Sequence, residues 1–199
     1  MSWVEHYVHP GMVAVDVGAN RGLYTEQFLG RGAIVIAVEP HAEMAQYLRE
    51  RYPTVRVIEA AMTDHEGTVI FHYSKASEHG SVCKANLLDD IEQAREVSAM
   101  TLDSLGPVDV VKVDVQGAEA AILVGATRTL RETRPIWYIE LWQEGLTHAG
   151  ASVGAVCDVF EAHGYVPIGQ SWAEVREQGG RQSGHSSIDA LLQPKEKAA

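Results

Sequence analysis

Short runs of β-branched and other apolar residues alternate with segments of helical periodicity along this chain. Five runs have the continuous hydrophobicity of buried parallel strands: residues 12–17, 33–39, 55–61, 108–115 and 135–141. Helical spacing of apolar residues marks four other segments: 23–29, 42–50, 118–130 and 153–163. This alternation predicts an α/β fold with a doubly wound, mostly parallel sheet, right-handed crossovers and helices on both faces.

The other segments are consistent with one domain over residues 1–199. Residues 68–73 form a further extended stretch. Two late runs, 164–168 and 188–192, predict a last pair of strands, joined like a hairpin by a long connection rich in Gly and Ser.

Two segments lack a regular pattern. Residues 74–97 are mostly polar, and a loop of this length inside a domain is typical of a lid or substrate loop. Residues 195–199 are expected to form a disordered tail.

Carboxylates stand at the ends of four of the five predicted parallel strands. They are Asp16, Glu39, Asp114 and Glu140. In a doubly wound sheet, ligands bind outside the carboxyl ends of the strands, where the strand order reverses. We therefore expect the binding site at this edge of the sheet.

A glycine-containing turn, Gly18-Ala19-Asn20-Arg21-Gly22, follows the first predicted strand. Glycine allows unusual backbone angles and lets a ligand approach the main chain closely. Glu39 follows about twenty residues later and is placed to accept hydrogen bonds from two ribose hydroxyls. The loop and Glu39 together predict a ribose-bearing cofactor.

The details of the loop disfavour a dinucleotide. Position 20 is Asn, where the dinucleotide pattern requires its middle glycine, and Asp16 would repel a diphosphate. Asp16 could instead organise a loop that meets a zwitterionic, cationic ligand such as S-adenosylmethionine. The alternative is that Asp16 pairs with a buried cation such as Lys112, and both roles are compatible. A lysine in a central strand must be paired, so we expect Lys112 to form a salt bridge with an acid on a neighbouring strand.

Four motifs in order resemble the FkbM family of class I methyltransferases, over about residues 11 to 145. The motifs are Asp16-Val17-Gly18-Ala19-Asn20-Arg21-Gly22, Val38-Glu39-Pro40, Thr101-Leu102-Asp103 and Lys112-Val113-Asp114-Val115-Gln116-Gly117-Ala118-Glu119. The resemblance implies a Rossmann-like seven-stranded sheet of order 3-2-1-4-5-7-6 with an antiparallel last strand. It also implies S-adenosylmethionine as methyl donor and a hydroxyl of a sugar or natural product as acceptor, in natural-product or polysaccharide biosynthesis.

The resemblance also implies which residues hold the cofactor. Gly18, Asn20 and Gly22 would line its methionine and ribose portion, and Glu39 would hold the ribose. Ala61 and Asp64 would lie near the adenine, and Asp114 would face the methionine end and the acceptor. Asp16 and Pro40, from the same motifs, complete the predicted cofactor-binding set.

Position 116 departs from the family pattern, because Gln stands where the family more often has Glu. If this side chain orients the acceptor or a metal, the protein differs from its relatives in substrate or lacks a ligand.

Transfer of a methyl group to an alcohol requires a base for the hydroxyl proton. The candidates are Asp114, Glu119, Glu140 and His79. Each has an alternative role: Glu119 suits the dipole of a helix N-terminus, Glu140 a helix cap, and His79 a solvated loop. Mg²⁺ bound by Asp114 and Glu140 is a further alternative, but the chain shows no compact metal-ligand spacing and we expect no metal.

The charge of the chain disfavours a nucleic-acid partner. The formal net charge is −11, and the densest basic stretch, Arg128, Arg131 and Arg134, lies on a predicted helix as a solvated face. The tryptophans and Tyr138 suit core and site-wall positions better than a base-stacking surface.

No apolar run reaches the length of a membrane span, the N-terminal residues lack a secretory pattern, and two cysteines predict no disulfide framework. A cytoplasmic, small-molecule enzyme is therefore expected, and a homodimer is compatible with the sequence. Three rivals stay open: an NAD-dependent oxidoreductase on a similar sheet, a non-catalytic S-adenosylmethionine-binding domain, and a nucleic-acid methyltransferase. The last lacks the Pro-Pro-aromatic motif that base-methylating enzymes carry at the fourth strand.

Overall fold

A computed structural model describes residues 2–74, 80–82, 91–180 and 187–198. The helices are α1 (Trp3–Tyr7), α2 (Leu23–Gly30), α3 (Ala42–Arg51), α4 (Glu119–Val124), α5 (Gln143–His148), α6 (Val153–Ala162) and α7 (Trp172–Gly180). The strands are β1 (Val13–Val17), β2 (Ile34–Val38), β3 (Arg56–Ile58), β4 (Ala61–Met62), β5 (Gly67–Ser74), β6 (Gly80–Ser81), β7 (Ile91–Met100), β8 (Val110–Val113), β9 (Ile136–Leu141), β10 (Tyr165–Pro167) and β11 (Ile188–Pro194).

A seven-stranded sheet lies at the centre of the fold, in the order β10-β11-β9-β8-β1-β2-β3. β11 runs antiparallel to β9 and β10, and the pairs among β9, β8, β1, β2 and β3 are parallel. Counted by the strands of this sheet alone, the order is 3-2-1-4-5-7-6, which confirms the predicted topology. The strand order reverses between β1 and β8, so a crevice opens there at the carboxyl ends.

Each face of the sheet packs against a hydrophobic cluster. On one face the cluster contains Trp137, Phe160 and Tyr165, and the indole of Trp137 donates a hydrogen bond to the Tyr165 hydroxyl at 3.4 Å. On the other face, Phe28 and Leu48 of α2 and α3 are fully buried. Burial on both faces explains why these strands appear in the sequence as unbroken apolar runs.

A second, four-stranded sheet has the order β4-β7-β5-β6. Residues 91–97, predicted as part of a lid loop, instead belong to β7, which pairs antiparallel with β5 from Gly67↔Ala99 to Ser74↔Ile91. The prediction was wrong because residues 93–96 are exposed and mostly polar, so this part of the strand has no apolar face. Residues 75–79 and 83–90, and with them the candidate base His79, lie outside the described residues. The run predicted over 55–61 is divided between β3 of the large sheet and β4 of this one.

The single helix predicted over 118–130 is also divided. α4 ends at Val124, and a π-helix follows over Thr129–Thr133. Gly125 lies at the break, where a Cβ would overlap the carbonyl oxygen of Thr63. Asp103 supports the second segment, because its carboxylate accepts hydrogen bonds from the backbone of Arg128 at 2.8 Å and Thr129 at 2.7 Å. The acid of the Thr101-Leu102-Asp103 motif therefore caps a helical segment.

Residues 195–198 of the segment predicted to be a tail are described by the structure and contact the rest of the fold. Lys195–Lys197 form a 3-10 helix, and the carboxylate of Glu196 pairs with the guanidinium of Arg134. Lys197 donates to the carbonyl oxygen of Arg134 at 3.0 Å. Arg134 is thus occupied by contacts to the C-terminal segment and does not present a free basic face, contrary to the prediction for it.

Three short helices were absent from the prediction: α1, α5 and α7. α1 has a recognisable signal, since Ser2 and Glu5 form a reciprocal capping box. α7 lies in the connection between β10 and β11 that was expected to be a loop. Within the part of the chain that the structure describes, every helix is too short or too polar to span a lipid bilayer.

Candidate cofactor and acceptor site

A pocket of about 260 Å³ opens at the carboxyl ends of β1, β2 and β8, beside the point where the strand order reverses. Of the residues predicted to bind the cofactor or act as a base, seven line it: Gly18, Asn20, Glu39, Pro40, Ala61, Asp114 and Glu140. Asp16, Gly22, Asp64 and Glu119 lie outside its lining. The motifs therefore meet in space, although not every predicted side chain faces the pocket.

The glycine-containing loop is held against both neighbouring strands. Gly18 has φ +70°, and a Cβ on it would overlap the carbonyl oxygen of Asp114. The amides of Gly18 and Ala19 donate to the Val38 carbonyl at 3.0 and 3.2 Å. Asn20 also has a left-handed φ, +49°, and faces the pocket. This close packing leaves room for glycine alone at position 18.

Gly22 serves a different contact from the one predicted. It has φ +84° at the start of α2, and a Cβ there would come within 2.6 Å of the Tyr52 ring and 2.9 Å of Leu48. The second glycine of the loop thus lets α2 pack closely against α3 and its end.

Glu39 lies at the end of β2 with its carboxylate held by two backbone amides. Oε2 accepts from Asn20 at 2.8 Å and Oε1 accepts from His41 at 2.9 Å. Burial raises the pKa of this carboxyl, and the two amide hydrogen bonds act in the opposite direction. Each oxygen keeps a further lone pair, so the orientation needed to accept two hydroxyl hydrogen bonds is preset.

Asp16 lies behind the loop and has no exposed surface. Its Oδ2 accepts from the backbone and the hydroxyl of Thr25 at 2.9 and 2.7 Å, and its Oδ1 forms an ion pair with Lys112 Nζ at 3.2 Å. Asp16 and Lys112 are paired in register on β1 and β8. The geometry therefore supports the interpretation of Asp16 as the partner of Lys112, with an indirect effect on the loop.

Lys112 connects this buried acid to the loop and to the pocket. Its Nζ donates to the carbonyls of Gly18 at 2.8 Å and Val17 at 3.3 Å, and lies 3.7 Å from Asp114 Oδ2. Burial alone would lower the pKa of Lys112, but the charges of Asp16 and Asp114 outweigh it and raise that pKa. The lysine is a buried, fully charged structural cation, as expected from the sequence.

The end of the pocket beside β2 and β4 is largely apolar. Ala61 and Pro40, both predicted to bind the cofactor, line this end together with Met44, Met62 and Phe71, which the sequence analysis did not single out. Phe71 belongs to β5, and the sequence signal for it was only the extended stretch over residues 68–73.

Asp64 does not reach this apolar end. Its exposed carboxylate accepts from Thr63 Oγ1 at 3.1 Å and contacts His65 Nδ1 at 2.6 Å. The hydrogen bond from His65 lowers the pKa of Asp64. The structure thus places Asp64 on the surface, where it pairs with its neighbour in the chain.

Two carboxylates and an amide meet at the other end of the pocket. Nε2 of Gln116 donates to Asp114 Oδ1 at 3.0 Å and to Glu140 Oε2 at 3.1 Å, and Ser187 donates to Glu140 Oε1 at 2.6 Å. Burial, followed by the adjacent Asp114, raises the pKa of Glu140 to about 7. Burial also acts to raise the pKa of Asp114, but Lys112 and the hydrogen bonds outweigh it, so that pKa is lowered. The sequence missed Ser187, which lies far from the motifs and next to the last strand.

Glu119 is buried under the loop that follows β8. Its Oε1 accepts from the Gly117 amide at 3.1 Å, and Oε2 has no hydrogen-bond partner among the described residues. Burial raises the pKa of this carboxyl to about 7. Since Glu119 does not line the pocket, its position favours a structural role at the start of α4 over that of a base.

Replacing Glu119 with Gln should flatten the pH dependence of stability. A folded-state pKa near 7 against 4.5 for the ordinary carboxyl means that the wild type loses stability as pH rises through this window. We expect the free energy of unfolding, measured in urea, to fall by up to about 3 kcal/mol more between pH 4.5 and 7 in the wild type than in Glu119→Gln. The exposed carboxylate variant Glu43→Gln is the control and should follow the wild type. Parallel curves for wild type and Glu119→Gln would contradict the buried-acid assignment.

Among the residues that the structure describes, no group of three or more His, Cys, Asp or Glu side chains could hold a metal ion. The two carboxylates considered for Mg²⁺, Asp114 and Glu140, have the amide nitrogen of Gln116 between them.

Comparison with known proteins gives concordant results. Residues 16–167 match the family model described as the methyltransferase FkbM domain. The chain is 28% identical over 176 residues to the 2-O-methyltransferase NoeI of Sinorhizobium fredii, covering 75% of this chain and 71% of NoeI.

Two solved structures share the fold at low sequence identity. A TehB-like SAM-dependent methyltransferase from Corynebacterium glutamicum superposes with a TM-score of 0.51 at 13% identity, covering 96% of this chain and 84% of the other. The ribosomal protein L11 methylase of Lactobacillus delbrueckii subsp. bulgaricus gives 0.52 at 11% identity, covering 96% and 74%. The matched model includes the loop, Glu39 and the β8 motif, and the sheet has the expected strand order; the chain belongs to the FkbM family of S-adenosylmethionine-dependent methyltransferases.

Proposed function

We propose that this methyltransferase methylates a hydroxyl group of a sugar or natural-product small molecule. The observation that carries the proposal is the carboxyl of Glu140 beside Asp114 at one end of the pocket, with a pKa raised to about 7. A base for a hydroxyl proton works best with a pKa near the operating pH. The 2-O-methyltransferase activity named for NoeI supports the same acceptor atom.

The residues in the pocket fit S-adenosylmethionine. The close contact of Gly18 with Asp114 brings bare backbone to the pocket wall, and Glu39 presents a preset carboxylate for the two ribose hydroxyls. Pro40, Met44, Ala61 and the neighbouring apolar side chains offer a surface for the adenine. When bound, S-adenosylmethionine supplies an electrophilic methyl group on a sulfonium.

The acidic end of the pocket would then receive the acceptor. Glu140 in its ionised form accepts the hydroxyl proton while a lone pair of the acceptor oxygen forms the bond to the methyl carbon. The electrons of the broken carbon–sulfur bond stay on sulfur, so charge and atoms balance. Asp114, held ionised by Lys112, provides a second acceptor that orients the hydroxyl.

The charge around Glu140 favours an uncharged acceptor. Asp114 and Glu140 face the pocket, and the exposed residue Asp189 lies close enough to raise the pKa of Glu140. Several carboxylates would repel a phosphate or carboxylate group on the acceptor. A neutral polyhydroxyl compound suits these surroundings better, and its further hydroxyls can donate to the same acids.

The second sheet is proposed to cover the apolar end of the pocket, where the adenine would lie. Phe71 of β5 and Val82, which follows β6, line the pocket from this sheet. We propose that these two side chains close the pocket on this side.

The proposal is tested by incubating the protein with S-adenosylmethionine and a panel of neutral sugars, phosphorylated sugars, polyketide alcohols, carboxylic acids and amines. We expect methyl ethers from neutral hydroxyl compounds, detected by mass spectrometry. Methylation of carboxyl or nitrogen acceptors alone would overturn the hydroxyl assignment. S-adenosylhomocysteine binding by calorimetry, without methylation of any compound in the panel, would favour the non-catalytic alternative.

A further inference from the structure

The side chain of Gln116 occupies the space between the two carboxylates at the acceptor end. An amide nitrogen carries two N–H donors, and here it donates to Asp114 at 3.0 Å and to Glu140 at 3.1 Å. Two carboxylates this close otherwise share a proton or bind a cation, because both cannot ionise freely side by side. Asp114 and Glu140 are also within hydrogen-bond reach of each other, which raises the pKa of Glu140 and lowers the pKa of Asp114. The neutral amide adds one N–H donor to each carboxylate, and these donors remain when the proton that the two acids share has left.

The backbone at Gln116 is held in a conformation that residues other than glycine rarely adopt. Its φ is +58°, in the left-handed region, and its carbonyl oxygen accepts a hydrogen bond from Ser81 Oγ at 3.1 Å. A non-glycine residue in this region is kept there only by its surroundings, and such residues concentrate at functional sites. The strained backbone and the double hydrogen bond are independent observations, and both point to a role for this side chain.

The charged groups that face the carboxylate pair explain why an amide is needed. Lys112 lies 3.7 Å from Asp114 but is shared with Asp16, while Asp189 of β11 opposes ionisation of Glu140. On the α4 side, Glu119 is a further acid that is influenced by Asp114. Among the described residues, the hydroxyl of Ser187 and the amide of Gln116 donate hydrogen bonds to Glu140 and so favour its ionised form.

We infer that Gln116 is a positioning residue for the methyl transfer: its amide lets Asp114 and Glu140 be ionised together and keeps Glu140 oriented to accept the acceptor's proton. The inference rests on the proposed function for the catalytic consequence, but the pairing itself can be measured without an acceptor. Gln116 acts through the two carboxylates and does not itself receive the proton.

The test compares two variants. Gln116→Glu has almost the same shape and replaces the donors with a third carboxylate. Gln116→Gly removes the amide and accepts the left-handed φ without strain, so it remains informative if the glutamate variant does not fold. Carbon-13 NMR of protein labelled at the glutamate side-chain carboxyl, with the Glu140 signal assigned through Glu140→Gln, follows ionisation directly.

We expect the Glu140 signal to titrate near pH 7 in the wild type and at least about one pH unit higher in Gln116→Glu, with a smaller upward shift in Gln116→Gly. Once a hydroxyl acceptor has been identified, the apparent pKa on the acidic side of the pH profile of kcat/KM should shift by the same amount. An unshifted Glu140 titration in a folded variant overturns the inference even if the enzyme methylates alcohols. A shifted titration without any methylated hydroxyl supports the pairing role and counts against the proposed function instead.

Discussion

Replacing Glu140 with Gln should lower kcat for methyl transfer about 10²- to 10⁴-fold, the usual contribution of a positioned base. Glutamine keeps the size of the side chain and can still contact Ser187 and Gln116, but it cannot take a proton. Affinity for S-adenosylhomocysteine should change little, because Glu140 lies at the opposite end of the pocket from Glu39 and the apolar wall. The measurement is steady-state methylation of the best hydroxyl acceptor, with cofactor affinity from calorimetry.

The prediction also specifies how kcat/KM should change with pH. Because the raised pKa makes the protonated acid dominant below about 7, the wild-type kcat/KM should fall as pH drops through that value. Glu140→Gln should lose this dependence. Glu119→Gln is the matched control, since its carboxyl also has a pKa of about 7 but lies outside the pocket. If the control lost the pH dependence and Glu140→Gln kept it, the base would have been assigned to the wrong acid.

Replacing Gly18 with Ala is expected to weaken cofactor binding strongly and to destabilise the fold. The added Cβ would overlap the backbone oxygen of Asp114, and the φ of +70° is unfavourable for alanine. Overpacking and left-handed strain together should cost about 2–5 kcal/mol in the free energy of unfolding. Any folded fraction should bind S-adenosylhomocysteine at least about 100-fold more weakly, because the loop must move away from β8.

Gly11→Ala separates the two causes. Gly11 has φ +84°, but a Cβ there would have nothing within 4 Å. This control should lose only the strain energy, about 1–2 kcal/mol, and retain normal cofactor affinity. Equal destabilisation of the two variants, measured by chemical unfolding, would show that the contact with Asp114 has no effect of its own.

The sequence predicted the large sheet well because its strands are buried on both faces. The apolar runs of β1, β2, β8 and β9 could be identified as strands without knowing which strands lie beside them. β7 was missed because residues 93–96 face solvent and show no apolar periodicity. The strand is stabilised by its pairing with β5, and such long-range pairing is not visible in a local hydrophobic pattern.

At the site, the motifs identified the pocket but not the direction of each side chain. Gly18, Asn20 and Glu39 line it, whereas Asp16 turns to Lys112 and Asp64 to His65. The direction of Asp16 depends on the buried cation across the sheet, and that of Asp64 on the histidine beside it in the chain. Ser187 and Gln116 are far from Glu140 in the sequence, and no motif links them to it. Their contacts with Glu140 therefore could not be predicted from the sequence.

The position of Lys112 has a consequence for how the two halves of the pocket communicate. One ammonium group is bonded to the Gly18 carbonyl and also lies beside Asp114, so the loop and the acceptor acids share a single buried cation. A ligand that displaces either partner changes the field felt by the other. By thermodynamic linkage, any coupling that this cation creates between methyl donor and acceptor would change the affinity of each for the protein by the same factor.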